Sequence, residues 1–136
     1  MKKLLIAFIL VFIGINSLYA DRATAAAKAI IAAANLESNG YYIRNIPGRY
    51  LRQGHYRTYN RYLYRGSCYA IVGVGDNSVR DLDVYVWDNY WNLVAEDSDS
   101  SSVSVASFCP RHSGTYHIRT KMYSGHGFFY QVIAYK

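Results

Sequence analysis

The sequence predicts an all-β protein, an antiparallel sandwich or barrel, with one helix and an apolar leader in front of it. Residues 68–76 and 81–88 alternate with a period of two, so their apolar side chains fall on one side of an extended chain. Gly, Asp, Asn and Ser cluster at 75–78 and again after later apolar runs, which is typical of turns between short strands. A chain of 136 residues predicts a single domain.

The first 20 residues predict a secretory signal peptide. Lys2 and Lys3 precede a nearly continuous apolar run at 4–15, and Ala20 provides a small residue at the cleavage point. The run is shorter than the ~18 to 20 residues that span a bilayer, so we expect cleavage rather than an uncleaved anchor. The predicted mature chain begins at Asp21, is exported to the periplasm or the medium, and has no stable membrane anchor.

Residues 21–39 predict an Ala-rich helix. Alanine is the best helix former, and Asn39-Gly40 is a typical helix stop. One side of this helix carries a thin apolar stripe: Ala23, Ala27, Ala34 and Ile30. We therefore expect the helix to dock weakly or stay detached, and to be dispensable for folding of the β-sandwich over 40–136.

Residues 40–66 are basic and aromatic, with no acid between Glu37 and Asp76. Guanidinium groups pair with phosphate or carboxylate and tyrosine rings stack, so this stretch is suited to an anionic polymer such as envelope glycan or nucleic acid. The arginines singled out for this role are Arg57, Arg61 and Arg65. The favoured alternative is that these side chains cover edge strands. We do not expect nucleic acid as a partner, because no recognised nucleic-acid-binding motif is present.

Seven of the nine acidic residues fall between 76 and 99. Carboxylate oxygens are the ligands that Ca²⁺ prefers, so a calcium site is one interpretation, and calcium is the one cofactor that the sequence suggests. Its ligands would be Asp76, Asp81, Asp83, Asp97 and Asp99. The favoured alternative is that these are solvated turn residues that accept hydrogen bonds from their own backbone.

The two cysteines, Cys68 and Cys109, predict a disulfide, because an exported chain meets an oxidising environment and each has only the other as a partner. Each also alternates with apolar residues, Cys109 with Val103 and Val105, so we expect both to lie on a buried face. Two buried free thiols are the alternative.

Catalytic motifs are not recognisable. The four histidines, His55, His112, His117 and His126, lack metal-ligand spacing, and there is no nucleophile elbow or phosphate loop. We therefore do not expect an enzyme.

Four aromatic residues near one predicted hairpin offer rings to a sugar or a peptide: Tyr85, Trp87, Tyr90 and Trp91. The alternative is that they only cover the sheet. Three functions follow: a non-catalytic module that binds polysaccharide or protein surfaces through these rings, an interaction protein for anionic polymers, or a purely structural envelope protein.

Four segments resemble, in order and spacing, bacterial pre-peptidase C-terminal (PPC-like) domains. They are 81–88, 92–97, 113–119 and 127–132, and the resemblance covers about 51–135. The resemblance implies a small jelly-roll-like β-sandwich, preceded here by the Ala-rich helix and the signal peptide. Such domains are usually appended to secreted proteases, and the resemblance implies a role in secretion or substrate binding rather than in catalysis.

Overall fold

The computed structural model describes residues 20–136, so the predicted signal peptide lies outside the described residues except for Ala20. One helix, α1, spans Arg22–Ser38. Asp21 caps it, because the Asp21 carboxylate accepts a hydrogen bond of 2.9 Å from the backbone N–H of Ala23. The helix stops before Gly40, whose φ of +88° suits glycine. Within residues 20–136 no helix is long and apolar enough to cross a membrane.

Nine strands follow α1 in the described chain, and they form two antiparallel sheets. The strands are β1 (Tyr42–Asn45), β2 (Gly48–Leu51), β3 (Tyr56–Leu63), β4 (Tyr69–Gly75), β5 (Val79–Trp87), β6 (Leu93–Asp97), β7 (Ser104–Phe108), β8 (Gly114–Gly125) and β9 (Gly127–Tyr135). The first sheet has the order β1-β9-β4-β7, with β2 also paired to β9, and the second has the order β3-β8-β5-β6.

The strand pairs are nested, which makes the fold a jelly roll. β5 pairs with β6, β4 with β7, β3 with β8 and β2 with β9, so each pair encloses the one before it and successive pairs alternate between the sheets. This is the arrangement that a long hairpin adopts when it folds over on itself. The predicted fold class, a jelly-roll-like β-sandwich after one short helix, is confirmed.

The main core lies between the two sheets, and β5 follows the predicted alternation. In β4 the predicted side, with Val72 and Val74, faces α1 instead, and Ile71 of the other side enters the main core. Its fully buried members include Leu63, Ile71, Val84, Val86, Ile118 and Ile133. A second cluster, around Leu82, Met122 and Phe129, continues the core toward the other end of the sandwich. Side chains at the intervening positions of β5 and β8 therefore point away from the core, onto the outer face of the four-stranded sheet.

Helix α1 is docked on the outer face of the five-stranded sheet rather than detached. Ala29 and Ala33 pack against Val72, Val74 and Val132, so β4 is buried on both of its faces. The stripe predicted for this contact is wrong. The buried helix positions are Ala25, Ala29 and Ala33, whereas Ile30 is 67% exposed. Small side chains allow the helix to approach the valines of the sheet closely, so its fully buried positions are all alanine, and Leu36 is half-buried at the end of the contact.

Cys68 and Cys109 form a disulfide, which confirms the predicted pair. The bridge links the residue before β4 to the residue after β7. The buried face predicted for the two cysteines is wrong: Cys68 is half-buried and Cys109 is exposed, and Val103 and Val105 are 43% and 53% exposed. β7 is an edge strand, and α1 lies over β9 and β4 without covering it. An apolar groove of about 420 Å³ remains between α1 and β7.

Candidate functional site

The outer face of the four-stranded sheet carries most of the aromatic residues that the sequence singled out. Along β5, Leu82, Val84 and Val86 enter the core. The intervening Tyr85 and Trp87 are half-buried on the outer face. Within residues 20–136 no helix lies over this sheet, so in the described part of the chain their rings are available for a contact other than core packing.

Pairing across the sheet sets side chains from three strands side by side. Each row runs from β5 through β8 to β3. The three rows are Trp87, His117 and Asn60; Tyr85, Arg119 and Thr58; and Asp83, Lys121 and Tyr56. Residues directly opposite on antiparallel strands have their Cβ atoms about 4.5 to 5.5 Å apart, close enough for direct contact.

Two rings on this face are stacked in parallel. The indole of Trp91 lies over the imidazole of His117, with 3.9 Å between ring centroids and 5° between planes. The His117 ring is held from its edge, because its Nδ1 lies 2.6 Å from Oδ1 of Asn60 and donates to it. Trp87 contacts Trp91 at 5.9 Å between centroids and stacks on Tyr85 at 5.7 Å.

The guanidinium of Arg119 lies between two further rings. Its Cζ is 3.9 Å from the ring centroid of Tyr56 and 4.8 Å from that of Trp87. Its Nε donates a hydrogen bond of 3.0 Å to Oγ1 of Thr58. Each cation–ring contact contributes roughly 0.5 to 1 kcal/mol at a partly exposed site, so Arg119 joins the rings of β3 and β5 into one surface. We define the aromatic face as Tyr56, Tyr85, Trp87, Trp91, His117 and Arg119.

The turn between β5 and β6 presents Trp91 to this face. The carboxylate of Asp88 accepts hydrogen bonds from the backbone N–H groups of Tyr90 and Asn92, each of 2.9 Å, and from the side-chain amide of Asn92. These bonds lower the pKa of Asp88, and the bond from the Asn92 backbone N–H has the largest effect. Within this turn Trp91 has a φ of +63°. A non-glycine residue in this region is strained, so the turn holds Trp91 in place at some cost.

Tyr90, which the sequence grouped with these rings, points elsewhere. It is 84% exposed at the tip of the turn. With Asp88, His112 and Tyr116 it lines a separate cleft of about 380 Å³ at the end of the sheet. Three of the four predicted aromatics, Tyr85, Trp87 and Trp91, are therefore brought together, and the fourth is not.

Two acidic residues are buried at one end of the aromatic face. Asp81 is 8% exposed and Asp83 is 3% exposed, and one carboxylate oxygen of each lacks a hydrogen-bond partner among the described residues. Burial, and then the negative charge of Asp81, raise the pKa of Asp83. The hydroxyl of Tyr85 donates to Asp83 over a long 3.3 Å, and burial and the Asp83 charge raise the pKa of Tyr85.

The five aspartates predicted to hold calcium are not brought together. Within residues 20–136 no three His, Cys, Asp or Glu side chains converge in a way that could hold a metal ion. Asp76 accepts hydrogen bonds from the backbone N–H of Ser78 in the β4–β5 turn and from that of Phe128 at the start of β9. Asp97 accepts from the backbone of Asp99 and of Val105. Backbone hydrogen bonds thus occupy the carboxylates of Asp76 and Asp97, two of the five that the sequence treated as ligands.

The predicted arginines lie apart from the aromatic face. Arg57 and Arg61 are on the other side of β3, where each guanidinium carbon is 5.5 Å from the ring centroid of Tyr59. With the Asn45 amide oriented to accept, Arg61 donates to it over 2.8 and 2.9 Å. Arg65 lies in the turn after β3, where its backbone N–H bonds to Ser113. The three arginines therefore do not form one continuous surface.

Sequence reasoning missed Tyr56, His117 and Arg119 as parts of one site. His117 and Arg119 alternate with the core residue Ile118, so their side chains are predicted to point away from the core. Alternation alone, however, does not predict which strands lie on either side of β8. β8 lies between β3 and β5, which are far from it along the chain.

No protein-family model matches the chain, and no curated protein matches it in sequence. The resemblance to PPC-like domains stays a prediction that rests on the four segments and on their β-sandwich pattern.

Proposed function

We propose that this chain is an exported, non-catalytic binding module that binds polysaccharide through the aromatic face. The observation that carries the proposal is the arrangement of Trp91, His117, Trp87, Arg119 and Tyr56 as one stacked, partly exposed surface on a sheet whose core is on its opposite side. The export and the lack of catalysis rest on the sequence, and the resemblance to PPC-like domains agrees with a role in substrate binding.

Polysaccharide is favoured over a peptide by the mixture of groups on this face. The apolar C–H side of a sugar ring packs on an aromatic ring, and its hydroxyls need donors and acceptors close by. Tyr56 and Trp91 are 53% and 56% exposed. Lys121 lies opposite Tyr56, and Asn60 lies opposite His117, on which Trp91 stacks, so they supply donors and an acceptor on this face. The rings are held by their neighbours before a ligand arrives, which lowers the entropic cost of binding.

The experiment is a binding screen of residues 21–136 against insoluble cellulose, chitin, xylan and peptidoglycan sacculi. We expect at least one of them to retain the protein. The double variant Tyr56→Ala/Trp91→Ala should weaken that binding at least tenfold. Tyr42→Ala is the matched control, because Tyr42 is 67% exposed but lies on β1 of the other sheet. Retention by none of these polymers, or equal retention of the double variant, would contradict the proposal.

A second candidate function is binding of an anionic polymer through β3. The observation that favours it is that Arg57 and Arg61 both lie near the Tyr59 ring, each with its guanidinium carbon 5.5 Å from the ring centroid. Contacts between arginine and an anionic polymer release counterions, so the affinity must fall steeply with salt. The triple variant Arg57→Ser/Arg61→Ser/Arg65→Ser should weaken binding to heparin and flatten its salt dependence. If neither added salt nor the triple substitution weakened binding to heparin, this function would be excluded. The proposal for the aromatic face would not be affected.

A further inference from the structure

Asp76 lies at the junction of the sandwich and the start of α1, and its carboxylate is fully buried. One oxygen accepts from the backbone N–H of Ser78 over 2.9 Å and from the Ser78 hydroxyl. The other accepts from the backbone N–H of Phe128 over 2.9 Å and from that of Asp21 over 2.8 Å. This carboxylate therefore joins the β4–β5 turn, the start of β9 and the residue before α1.

The site has unusually tight geometry. A Cβ added at Gly127 would come within 2.7 Å of both Asp76 carboxylate oxygens, and the φ of Gly127 is +151°. Only glycine allows the backbone of β9 to approach this closely. None of the four donors to Asp76 carries a charge, although a buried carboxylate is stabilised most by a positive partner.

The sequence independently predicts that the mature chain begins at Asp21, which is the residue whose nitrogen reaches Asp76. We propose that Asp76 is a binding site for the α-ammonium group of Asp21, formed when the signal peptide is removed between Ala20 and Asp21. The proposal rests on the predicted cleavage and is independent of what the aromatic face binds.

Cleavage changes the donor without moving it. Water hydrolyses the C–N bond between Ala20 and Asp21: a hydroxyl goes to the Ala20 carbonyl carbon and the other hydrogen goes to the Asp21 nitrogen. The new carboxyl group then releases its proton and becomes a carboxylate. At neutral pH this amine binds a further proton and becomes an ammonium with three N–H donors. A neutral hydrogen bond of 2.8 Å thus becomes a buried ion pair at the same position.

The pair would also attach the helix to the sandwich. The Asp21 side chain caps α1 by accepting from the Ala23 N–H and, over 2.7 Å, from the Thr24 hydroxyl. One residue therefore holds the first turn of the helix through its side chain and would bind Asp76 through its ammonium. A positive charge at a helix N-terminus is unfavourable next to the helix dipole, and the two carboxylates offset this effect.

The test compares two forms of the otherwise identical protein, one beginning at Asp21 and one that retains Ala20. In the second form the Asp21 nitrogen is a neutral amide, so the hydrogen bond stays and only the charge at this position is lost. We expect the form beginning at Asp21 to melt roughly 4 to 8 °C higher. The difference should vanish in Asp76→Asn and persist in the matched control Asp99→Asn, whose carboxylate is exposed.

A second measurement keeps the proposal testable should Asp76→Asn fail to fold. The Asp21 amine of the native protein should react with an acylating reagent at least tenfold more slowly than in urea, and an intact mass should show that the exported chain begins at Asp21. Equal melting of the two forms, an amine that reacts as fast as in urea, or an exported chain that begins at another residue would each overturn the proposal.

Discussion

The indole of Trp91 is parallel to the imidazole of His117, with 3.9 Å between the two ring centroids. The contact joins the β5–β6 turn to the middle of the sheet, and it is made by a residue with a φ of +63°. Because the left-handed conformation costs an ordinary residue about 1 to 2 kcal/mol, the stack and the strain at Trp91 oppose each other.

This opposition gives a prediction for Trp91→Gly and Trp91→Ala. Both variants lose the stack on His117, but only glycine also relieves the backbone strain. We expect Trp91→Gly to lie within about 1 kcal/mol of the wild type in free energy of unfolding, and Trp91→Ala to be less stable than Trp91→Gly by about 1 kcal/mol. Urea unfolding of the three proteins measures both differences. Equal stability of the two variants would show that the turn is not strained.

Asp83 gives a prediction about pH. Burial and the charge of Asp81 raise its pKa above the ordinary value of 3.8. As the pH rises, the folded protein therefore retains the Asp83 proton to a higher pH than the unfolded chain does. The resulting stability is complete below pH 3.8 and is lost as the pH rises through the folded-state pKa. Asp83→Asn removes the charge and should raise the melting temperature at pH 7.

The same variant should approach the wild type as the pH falls below 3.8, where the wild-type carboxyl becomes protonated in both the folded and the unfolded state. Thermal melts from about pH 3 to pH 8 make the comparison, with the exposed Asp99→Asn as control. A less stable Asp83→Asn protein at pH 7, or a difference that does not change with pH, would contradict the assignment.

The disulfide gives a third prediction. The bridge closes a loop across a separation of 41 residues, for which the chain-entropy relation gives roughly 4 kcal/mol of stability. Protein recovered from the periplasm or the medium should show no free thiol when it is alkylated without reductant and weighed by mass spectrometry. The reduced protein should unfold at lower urea concentration. Two alkylated cysteines in the exported protein would refute the prediction.

Removal of α1 gives the fourth prediction, and here the structure changes the expected magnitude. The Ala-rich composition predicts a cost of no more than ~1 to 2 kcal/mol, because alanine burial stabilises little. The docked helix, however, covers Val72, Val74 and Val132. Burial of a valine contributes about 1.5 kcal/mol or more, so deletion of 21–39 should cost more than about 3 kcal/mol.

The measurement is a thermal melt and a near-UV spectrum of the truncated protein. Val84→Asp is a useful reference, because it places a charge in the core and should prevent folding altogether. A truncated protein as stable as the full one would show that the sandwich does not need its helix.

The sequence predicted the fold class because alternation is a local property. Leu82, Val84 and Val86 fall on one side of any extended chain, and in the structure all three are fully buried. The contacts of the helix were not predictable in the same way. Ile30 is the largest residue of the predicted stripe, but close approach to the valines of β4 favours the side on which Ala25, Ala29 and Ala33 lie.

The candidate site was predictable only along single strands. Tyr85 and Trp87 share a face because they are two residues apart. Arg119 joins them because β8 lies next to β5, and this pairing depends on how the whole hairpin folds over. The acids of the predicted calcium site are a different case: Asp76 and Asp97 accept hydrogen bonds from backbone N–H groups, a use of carboxylates that sequence spacing does not separate from metal binding.

The position of the disulfide bears on how quickly this chain can fold. Tyr59 of β3 and Ile118 of β8 are partners whose numbers differ by 59, but through the bridge each lies only nine residues from a cysteine. The entropic cost of closing a loop grows with the logarithm of its length, and non-local pairing is what makes β-rich topologies slow. In the oxidised chain, the outer strand pairs therefore close much shorter loops than they do in the reduced chain. We expect refolding to be faster when the bridge has formed first.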